Sequence, residues 1–474
     1  DEYLHGIYQN QEAYFAVWNQ GQRRPIRVRR YRGPNAVFDT YSYPRGSAVI
    51  HMLRSVLGEE LFWKSIRYYL KKHQYQSVGT DDFVVAIEEA TGQNLEWFFD
   101  QWIYNMGHPE FEVSSSYDEN SKKLTLRVKQ TQKADSQRTW YNSPEFFIVP
   151  MDIGITTASG EKIERIIIDA VEKEFTFDLD SKPLIVNFDR GNAVIKQVKF
   201  DRSEEELIYQ LLHDNDTIGR FRACLELRSK KNDTVAKALA EAARQDKFWG
   251  VRTRATDYLA EYRNDFSKAK LLELAKDGDS RVRRSAVRAL AFAEDPNLAD
   301  LFKELVKNEQ SYNVLEEAAR GLGATKSADA YDALAELLGQ DSWQDAIRGA
   351  ALLGFSQLKD PRSVDLMLKY AKPGNRVSMR SSAIFALAQL AKSDDRLYEV
   401  LTLAVRDESL QILFAAVQSL LSIGDTKAVS LLEEAAARKD LPAGAIDFLN
   451  NNIKRLKEVN SKKEQEDKKN EGVQ

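Results

Sequence analysis

The sequence predicts a multidomain, mainly α-helical protein in which a helical block is followed by a β-sandwich and then by an α-solenoid. Three observations along the 474 residues predict this order. Apolar residues recur at helical spacing up to residue 107, alternate with polar residues in short segments up to residue 200, and then repeat with a period of about 32 residues. We predict domains at 1–107, 108–200 and 201–457, and a disordered charged tail at 458–474.

The helical block contains start and stop signals for several helices. Pro44 suits the first position of a helix, because the N–H that proline lacks would have no partner there. Thr80 is predicted to cap a later helix, which Thr91 and Gly92 would end. The aromatic segment "NLEWFFDQWIYNMG" predicts a last helix that ends at Gly107.

The second region changes its period. In "KLTLRVKQ" the residues Leu124, Leu126 and Val128 alternate with polar ones, which is typical of a half-buried strand. Polar turns such as "SYDENSKK" and "TASGEK" separate the segments. About ninety residues of short strands and turns predict a β-sandwich. The other predicted strands are "EFEV", "FFIVPMDIGI", "KIERIIID", "FTFDLD" and "LIVNF".

The third region is built from a repeat. An alanine recurs every 31 to 33 residues and, in most repeats, has an apolar residue four positions before it and a leucine four positions after it. Residues four apart share a helix face, so each repeat has one apolar stripe that it can bury only by stacking on its neighbours. The spacing resembles HEAT-type repeats and predicts an α-solenoid. The alanines are Ala223, Ala255, Ala286, Ala318, Ala350, Ala383 and Ala416.

Charged residues recur in register with these alanines. An arginine stands three positions before the alanine in four repeats, and Asp216 and Asp279 stand seven positions before theirs. In HEAT repeats such residues form an Asp–Arg ladder between neighbours, and we predict that role here. A column that binds anions is the alternative. The arginines are Arg220, Arg252, Arg283 and Arg380.

Composition excludes several classes of protein. A net charge of −4 gives no reason to expect a nucleic-acid partner. No apolar run approaches the roughly 18 residues that span a bilayer. A single cysteine, Cys224, excludes a disulfide within the chain, and we interpret it as a buried apolar residue of a helix. Because the chain begins with Asp1 rather than Met, we expect a processed product or a fragment, and the compartment stays open.

Catalytic motifs are missing. None of the five histidines forms H-E-x-x-H or another pair suited to zinc. The sequence also lacks a G-x-S-x-G elbow and a G-x-x-x-x-G-K loop. Motifs alone therefore predict no complete active site in this chain.

The first block nevertheless resembles zinc aminopeptidases of the aminopeptidase N type, which are gluzincin metallopeptidases. The segments "YSYPRGSAVIHMLRSVLGEELFWKSIRYYLKKHQY" and "TDDFVVAIEEATGQNLEWFFDQWIYNMGHPEFEV" carry the family's motifs in order. The resemblance implies that residues 1–107 are the helical remainder of a thermolysin-like catalytic domain. It also implies that the zinc ligands of the intact protein lie N-terminal to this chain. Glu2 lacks the family's context and is not assigned as a ligand.

The resemblance assigns one catalytic residue, Tyr43. It stands at the tyrosine of the family's Tyr-x-Lys-Gly motif, which hydrogen-bonds the oxyanion of the tetrahedral intermediate opposite the zinc. The alternative is an ordinary packed aromatic beside Tyr41. Pro44 replaces a residue that is commonly Glu in the family, and Arg45 replaces Lys. The sequence offers no reason for either departure.

Two hypotheses of function follow. In the first, the intact protein is a zinc-dependent aminopeptidase that removes N-terminal residues from peptides, and the solenoid walls the substrate chamber. The chain alone would then bind no catalytic zinc and hydrolyse nothing. In the second, the protein is a non-catalytic scaffold whose solenoid binds a protein partner. The sequence upstream of Asp1 would discriminate between them.

Overall fold

The α-helices and strands follow the predicted order. A computed structural model describes residues 1–133, 141, 143–392 and 394–471. The chain forms two compact units, which meet in sequence between Tyr258 and Leu259. The first unit contains the helical block, all strands of the described residues and the first solenoid helices, and the second is helical. The predicted fold class is confirmed. Within the described residues, no helix is both long and apolar enough to cross a membrane.

The helical block contains four α-helices and two single π-helical turns, Tyr41–Arg45 and Asp100–Tyr104. The predicted cap at Thr80 is wrong by one residue, because Gly79 occupies the cap and its N–H is bound by the carboxylate of Asp82 at 2.7 Å. The predicted stop is confirmed, since Gly92 ends that helix in the left-handed region at φ 72°. The helices are α1 (Glu2–Asn19), α2 (Gly46–Lys72), α3 (Thr80–Thr91) and α4 (Glu96–Phe99).

Within the described residues, seven strands form two sheets. The first sheet has the order β5-β2-β1-β7, antiparallel except for the parallel pair β1 and β7, and the second is antiparallel with the order β4-β3-β6. The prediction missed β7, a short strand whose partner is distant in sequence. The strands are β1 (Glu110–Asp118), β2 (Lys123–Gln130), β3 (Val149–Thr157), β4 (Gly160–Ile168), β5 (Glu172–Asp178), β6 (Ile185–Phe188) and β7 (Gln197–Phe200).

The helical block and the sheets share one core. Trp102 of the second π-turn lies 5.0 Å from the ring of Phe147, measured between centroids, and both are buried. Tyr14 of α1 is fully buried, and its hydroxyl lies 2.9 Å from Nδ1 of His108, which precedes β1. Because these contacts join helices to the start of strands, the first block cannot shift without disturbing the sandwich.

Sixteen α-helices make up the described part of the solenoid region. The last one continues through residues 458–471, for which the sequence predicts a disordered tail, and its lysine and glutamate residues are good helix formers. The helices are α5 (Glu204–His213), α6 (Thr217–Leu227), α7 (Asp233–Gln245), α8 (Trp249–Ala260), α9 (Asp265–Leu274), α10 (Ser280–Ala291), α11 (Ala299–Asn308), α12 (Tyr312–Ala324), α13 (Ala330–Leu338), α14 (Ala346–Leu358), α15 (Val364–Ala371), α16 (Val377–Leu390), α17 (Asp395–Val405), α18 (Leu410–Ile423), α19 (Thr426–Ala436) and α20 (Ala443–Glu471).

The repeat alanines lie where the period predicts. All seven are at most 2% exposed, at the centre of the even-numbered helices from α6 to α18. Cys224 beside the first of them is also fully buried in α6, and burial raises the pKa of its thiol. A side chain longer than a methyl group at the alanine positions would push the helices apart.

The predicted ladder forms, but with other carboxylates. Arg220 binds Asp246 through two hydrogen bonds of 2.7 and 3.0 Å, and Asp246 lies just before α8. The predicted partner Asp216 instead accepts the N–H of Ile218 at the start of α6. Helix N-termini carry unpaired N–H groups that bind a nearby aspartate readily, which is why the prediction chose the wrong acids.

The same pattern holds within the second unit. Arg283 binds Glu309 at 2.8 and 2.9 Å, and Arg380 binds Asp407 at 2.6 Å. Asp279 accepts the N–H of Arg281 at the start of α10, so it too is a cap and not the predicted ladder partner. Arg220, Arg283 and Arg380 thus connect successive repeats, as predicted, whereas Arg252 donates to the backbone carbonyl of Asp246 at 3.0 Å.

We expect Asp246→Asn to lower the free energy of unfolding by about 3–5 kcal/mol, because it leaves the charge of Arg220 buried without its partner. Both side chains of this pair are only 4% exposed. Glu174→Gln is the control, since both side chains of its pair with Arg127 are at least half exposed and solvent screens their attraction, so this variant should lose little stability. Chemical denaturation measures both. Equal losses in the two variants would contradict a structural role for the ladder.

The pair of Tyr14 and His108 predicts a pH dependence of stability. Burial and the nearby guanidinium of Arg45 lower the pKa of His108 to about 3. The unfolded chain binds a proton at this residue below a pH of about 6.5, whereas the folded chain does not until about 3, so stability falls as pH is lowered between these values. Over this range the titration of His108 lowers the free energy of unfolding by an amount that approaches roughly 1 kcal/mol per pH unit.

Between pH 7 and pH 5 the free energy of unfolding should therefore fall less in His108→Gln than in the unchanged protein. Urea unfolding at both pH values measures this difference. The carboxyl of Asp214, whose pKa burial raises to about 6, is present in both proteins and cancels in the comparison. An identical pH dependence in the two proteins would contradict the assignment.

Candidate functional site

Tyr43 lies at the outside of the first π-turn. The turn is wide because the N–H of Arg45 donates to the carbonyl of Thr40, five residues back, at 2.9 Å. Pro44 lies inside this turn and not at the first position of the helix that follows, which begins at Gly46. Because proline has no N–H, it needs no acceptor where the hydrogen-bond pattern changes register. The turn therefore provides a physical reason for Pro44.

The side chain of Tyr43 is available to a ligand. It is 59% exposed, whereas Tyr41 two residues earlier is 2% exposed. The ring of Phe38 is its aromatic neighbour at 5.9 Å between centroids. Among the residues that the structure describes, no hydrogen bond engages the Tyr43 hydroxyl. The turn thus projects a phenol whose donor and acceptor are both free.

Asp39 holds the start of the turn. Its Oδ1 atom accepts the N–H groups of Tyr41 and Ser42 at 3.0 and 3.2 Å, and Arg24 binds both carboxylate oxygens. Burial pushes the pKa of Asp39 upward, but hydrogen bonds from Arg24 and from the Ser42 N–H outweigh it and lower that pKa below its ordinary value. At neutral pH the Asp39 carboxylate is therefore ionised while it accepts the N–H groups of the turn.

Arg45 holds the end of the turn. Its side chain is 0% exposed, and its guanidinium lies 5.0 Å from the centroid of the Tyr14 ring. It donates to the carbonyl of Gly107 at 3.0 Å and to that of Arg24 at 3.3 Å. A planar fork can reach two carbonyls and stack on a ring, which a lysine ammonium cannot do in the same way. The structure thus accounts for Arg45, which the sequence left unexplained.

The described residues do not assemble a metal site. No group of three or more His, Cys, Asp or Glu side chains among them could hold an ion. His51 of α2 faces the hydroxyl of Tyr3 at 3.1 Å, and burial lowers the pKa of this histidine. His73 ends α2, and His108 belongs to the core. These histidines lie apart, in ordinary structural positions.

The sequence singled out Tyr43 as a candidate catalytic residue, but it singled out neither Arg24 nor Asp39. No motif marks either residue, and they are brought together by a loop of 15 residues. The one available signal is local: an aspartate two residues before Tyr41 is a common acceptor for the first N–H groups of a helical turn. The partner of that aspartate could not be chosen among the several arginines that precede it.

Comparisons with known proteins match two regions of the chain to family models. Residues 5–102 match the model of the peptidase family M1 domain, and residues 204–291, 267–354 and 298–388 match that of HEAT repeats. The chain is 24% identical over 271 residues to puromycin-sensitive aminopeptidase of Caenorhabditis elegans, covering 54% of this chain and 28% of that protein. It is 33% identical over 138 residues to aminopeptidase N of Lactococcus lactis, covering 27% of this chain and 15% of that protein.

A solved structure supports the fold. The crystal structure of aminopeptidase A of Legionella pneumophila, in complex with aspartic acid, matches with a TM-score of 0.56 at 15% identity, covering 91% of this chain and 58% of that one. The chain thus spans less than a third of the two relatives' lengths and just over half of this structure. The resemblance predicted from the sequence is confirmed: residues 5–102 resemble the peptidase family M1 domain, and residues 204–388 resemble HEAT repeats.

Proposed function

We propose that this chain is part of a zinc-dependent aminopeptidase in which Tyr43 stabilises the oxyanion of peptide hydrolysis. The observation that carries the proposal is the Tyr43 hydroxyl, which is exposed and free of hydrogen bonds among the described residues, on a turn held at both ends. The match to the M1 domain, which includes this turn, supports it. The similar proteins are named aminopeptidases, which favours an N-terminal residue of a peptide as the substrate.

The chemistry needs only the phenol of this chain. When water attacks the scissile carbonyl, its oxygen gains negative charge and the carbon becomes tetrahedral. The Tyr43 O–H donates a hydrogen bond to that oxygen, and the bond is stronger to the oxyanion than to the carbonyl of the bound substrate. A neutral donor fixed before the reaction lowers the barrier without a proton transfer of its own.

Zinc would come from outside the residues described here. Enzymes of family M1 use zinc, but the described residues assemble no ligand set for it. We therefore propose that the ligands lie in a part of the protein beyond this chain. The proposed role of the solenoid is to wall the substrate chamber.

The scaffold hypothesis is less favoured. It would leave the free hydroxyl of Tyr43 without a use, and the similar proteins carry the names of peptidases. No contact among the described residues indicates a protein partner on the solenoid.

Tyr43→Phe in the intact protein should lower kcat by about 10²–10³-fold, because it removes one donor to the oxyanion. KM should change little, since the hydrogen bond is made mainly in the transition state. Steady-state kinetics on an aminoacyl p-nitroanilide measures both constants. Tyr75→Phe is the control, because Tyr75 is fully exposed in the loop between α2 and α3. An unchanged kcat in Tyr43→Phe would remove Tyr43 from the mechanism.

The chain alone should hold less than one equivalent of zinc after incubation with the metal and dialysis, because its described residues assemble no ligand set. It should also fail to hydrolyse the same p-nitroanilide. Metal analysis and the activity assay are made beside the intact protein, which should give about one zinc and turnover. A tightly bound, stoichiometric ion on the chain alone would overturn the placement of the ligands elsewhere.

A further inference from the structure

We propose that Arg24 and Asp39 are positioning residues that aim the hydroxyl of Tyr43 at the reacting carbonyl. This inference rests on the proposed function of Tyr43. We call the two residues the clamp. The clamp touches neither substrate nor reacting atoms, and it acts through the backbone of the π-turn.

The carboxylate of the clamp grips the two residues that precede Tyr43 along the turn. Asp39 Oδ1 accepts the N–H of Tyr41 at 3.0 Å and that of Ser42 at 3.2 Å. The carbonyl of Asp39 in turn accepts the N–H of Tyr43 at 3.1 Å. One residue therefore binds three consecutive N–H groups, which fixes the direction in which the Cα–Cβ bond of Tyr43 points.

The guanidinium of the clamp has all its donors in use. Arg24 Nε and Nη2 bind the two oxygens of Asp39, and Nη2 also reaches Ser42 Oγ at 3.2 Å. Nη1 donates to the carbonyls of Pro25 and Ile26 at 2.7 and 2.9 Å. The group also lies 4.9 Å from the centroid of the Tyr41 ring. A fork with five satisfied donors cannot rotate without breaking several bonds together, so it holds the carboxylate in one orientation.

The exposure of the clamp favours a role in rate over one in stability. The side chain of Arg24 is 16% exposed and that of Asp39 is 37% exposed, so solvent reaches the carboxylate and the pair contributes less to the free energy of unfolding than a fully buried pair such as Arg220 and Asp246. Buried Arg45 already holds the other end of the turn. Tyr43 itself makes no side-chain hydrogen bond within the described residues that could orient its ring. Loss of the clamp would therefore leave the fold in place and misplace the hydroxyl, and an error of about 1 Å can cost 10²-fold in rate.

A double-mutant cycle in the intact protein tests the clamp. Asp39→Asn should lower kcat by about 10- to 100-fold and leave KM within about threefold, because the misplaced hydroxyl is used in the transition state. In the Tyr43→Phe background the same substitution should lower kcat by less than about twofold, because the hydroxyl it would misplace is gone. Arg24→Lys, which keeps the charge but not the fork, should retain more activity than Arg24→Met.

The control pair is Arg165 and Asp152, which joins β4 to β3. Arg165 Nη1 contacts both oxygens of Asp152 at 3.1 and 3.2 Å, and the Asp152 side chain is 33% exposed, close to that of Asp39. Asp152→Asn should leave kcat and KM unchanged. Thermal unfolding of every variant shows whether it is folded. If Asp39→Asn does not fold, Arg24→Lys and its combination with Tyr43→Phe complete the same cycle.

The outcomes separate the two proposals. A low kcat in Tyr43→Phe together with normal activity in Asp39→Asn would overturn the clamp and leave the proposed function intact. Equal losses from Asp39→Asn in both backgrounds would also overturn it, since the aspartate would then act independently of the hydroxyl. Normal activity in Tyr43→Phe would overturn the proposed function, and the clamp with it.

Discussion

The surroundings of Tyr43 depend on one buried guanidinium, that of Arg45. A charge removed from water is costly unless its donors are satisfied, and here carbonyl oxygens and an aromatic ring take the place of water. The carbonyl of Gly107 belongs to the segment that enters the sandwich, and the Tyr14 ring belongs to α1. Arg45 therefore joins the turn, the first helix and the sandwich at one point. The orienting role that we propose for Asp39 also requires that the other end of the turn be held in place.

The solenoid obeys a different constraint, that of close packing between neighbouring helices. Its alanines are buried completely or almost so, and each lies at the centre of a helix. Non-polar contacts of this kind tolerate no added volume but place few demands on direction. The arginine ladder supplies the direction, because a bidentate pair such as Arg283 with Glu309 forms in only one register. The alanines thus allow the repeats to approach, and the arginines fix how they align.

The periodic features of the fold could be predicted from the sequence, whereas contacts between residues distant in the chain could not. The segment "KLTLRVKQ" became β2 with both of its bounds correct, because alternation is a local property. Strand β7 has only four residues, and its partner β1 lies almost ninety residues earlier. The local pattern of apolar and polar residues therefore does not predict it. The π-turn inserts one residue into a helical register without altering the pattern of apolar residues. The ladder carboxylates were misassigned for a similar reason, since Asp246 is recognised only when the next repeat is folded against Arg220.

The same distinction explains why the sequence singled out Tyr43 as a candidate but not the contacts that hold its turn. Tyr43 and Arg45 belong to one contiguous motif, whereas Arg24 binds Asp39 from 15 positions earlier and Arg45 binds the carbonyl of Gly107, 62 residues away. In the folded chain most polar groups of the turn have partners: the N–H groups bind Asp39 and Thr40, and buried Arg45 donates to two carbonyls. Within the described residues the exceptions are Nε of Arg45, which is buried, and the hydroxyl of Tyr43, which is exposed and contributes no hydrogen bond to stability. A free donor on a fixed backbone is what stabilisation of a transient charge requires, since nothing must be broken before the new bond forms. The contacts around Tyr43 thus fix its backbone, while its hydroxyl stays free to donate a hydrogen bond to a ligand.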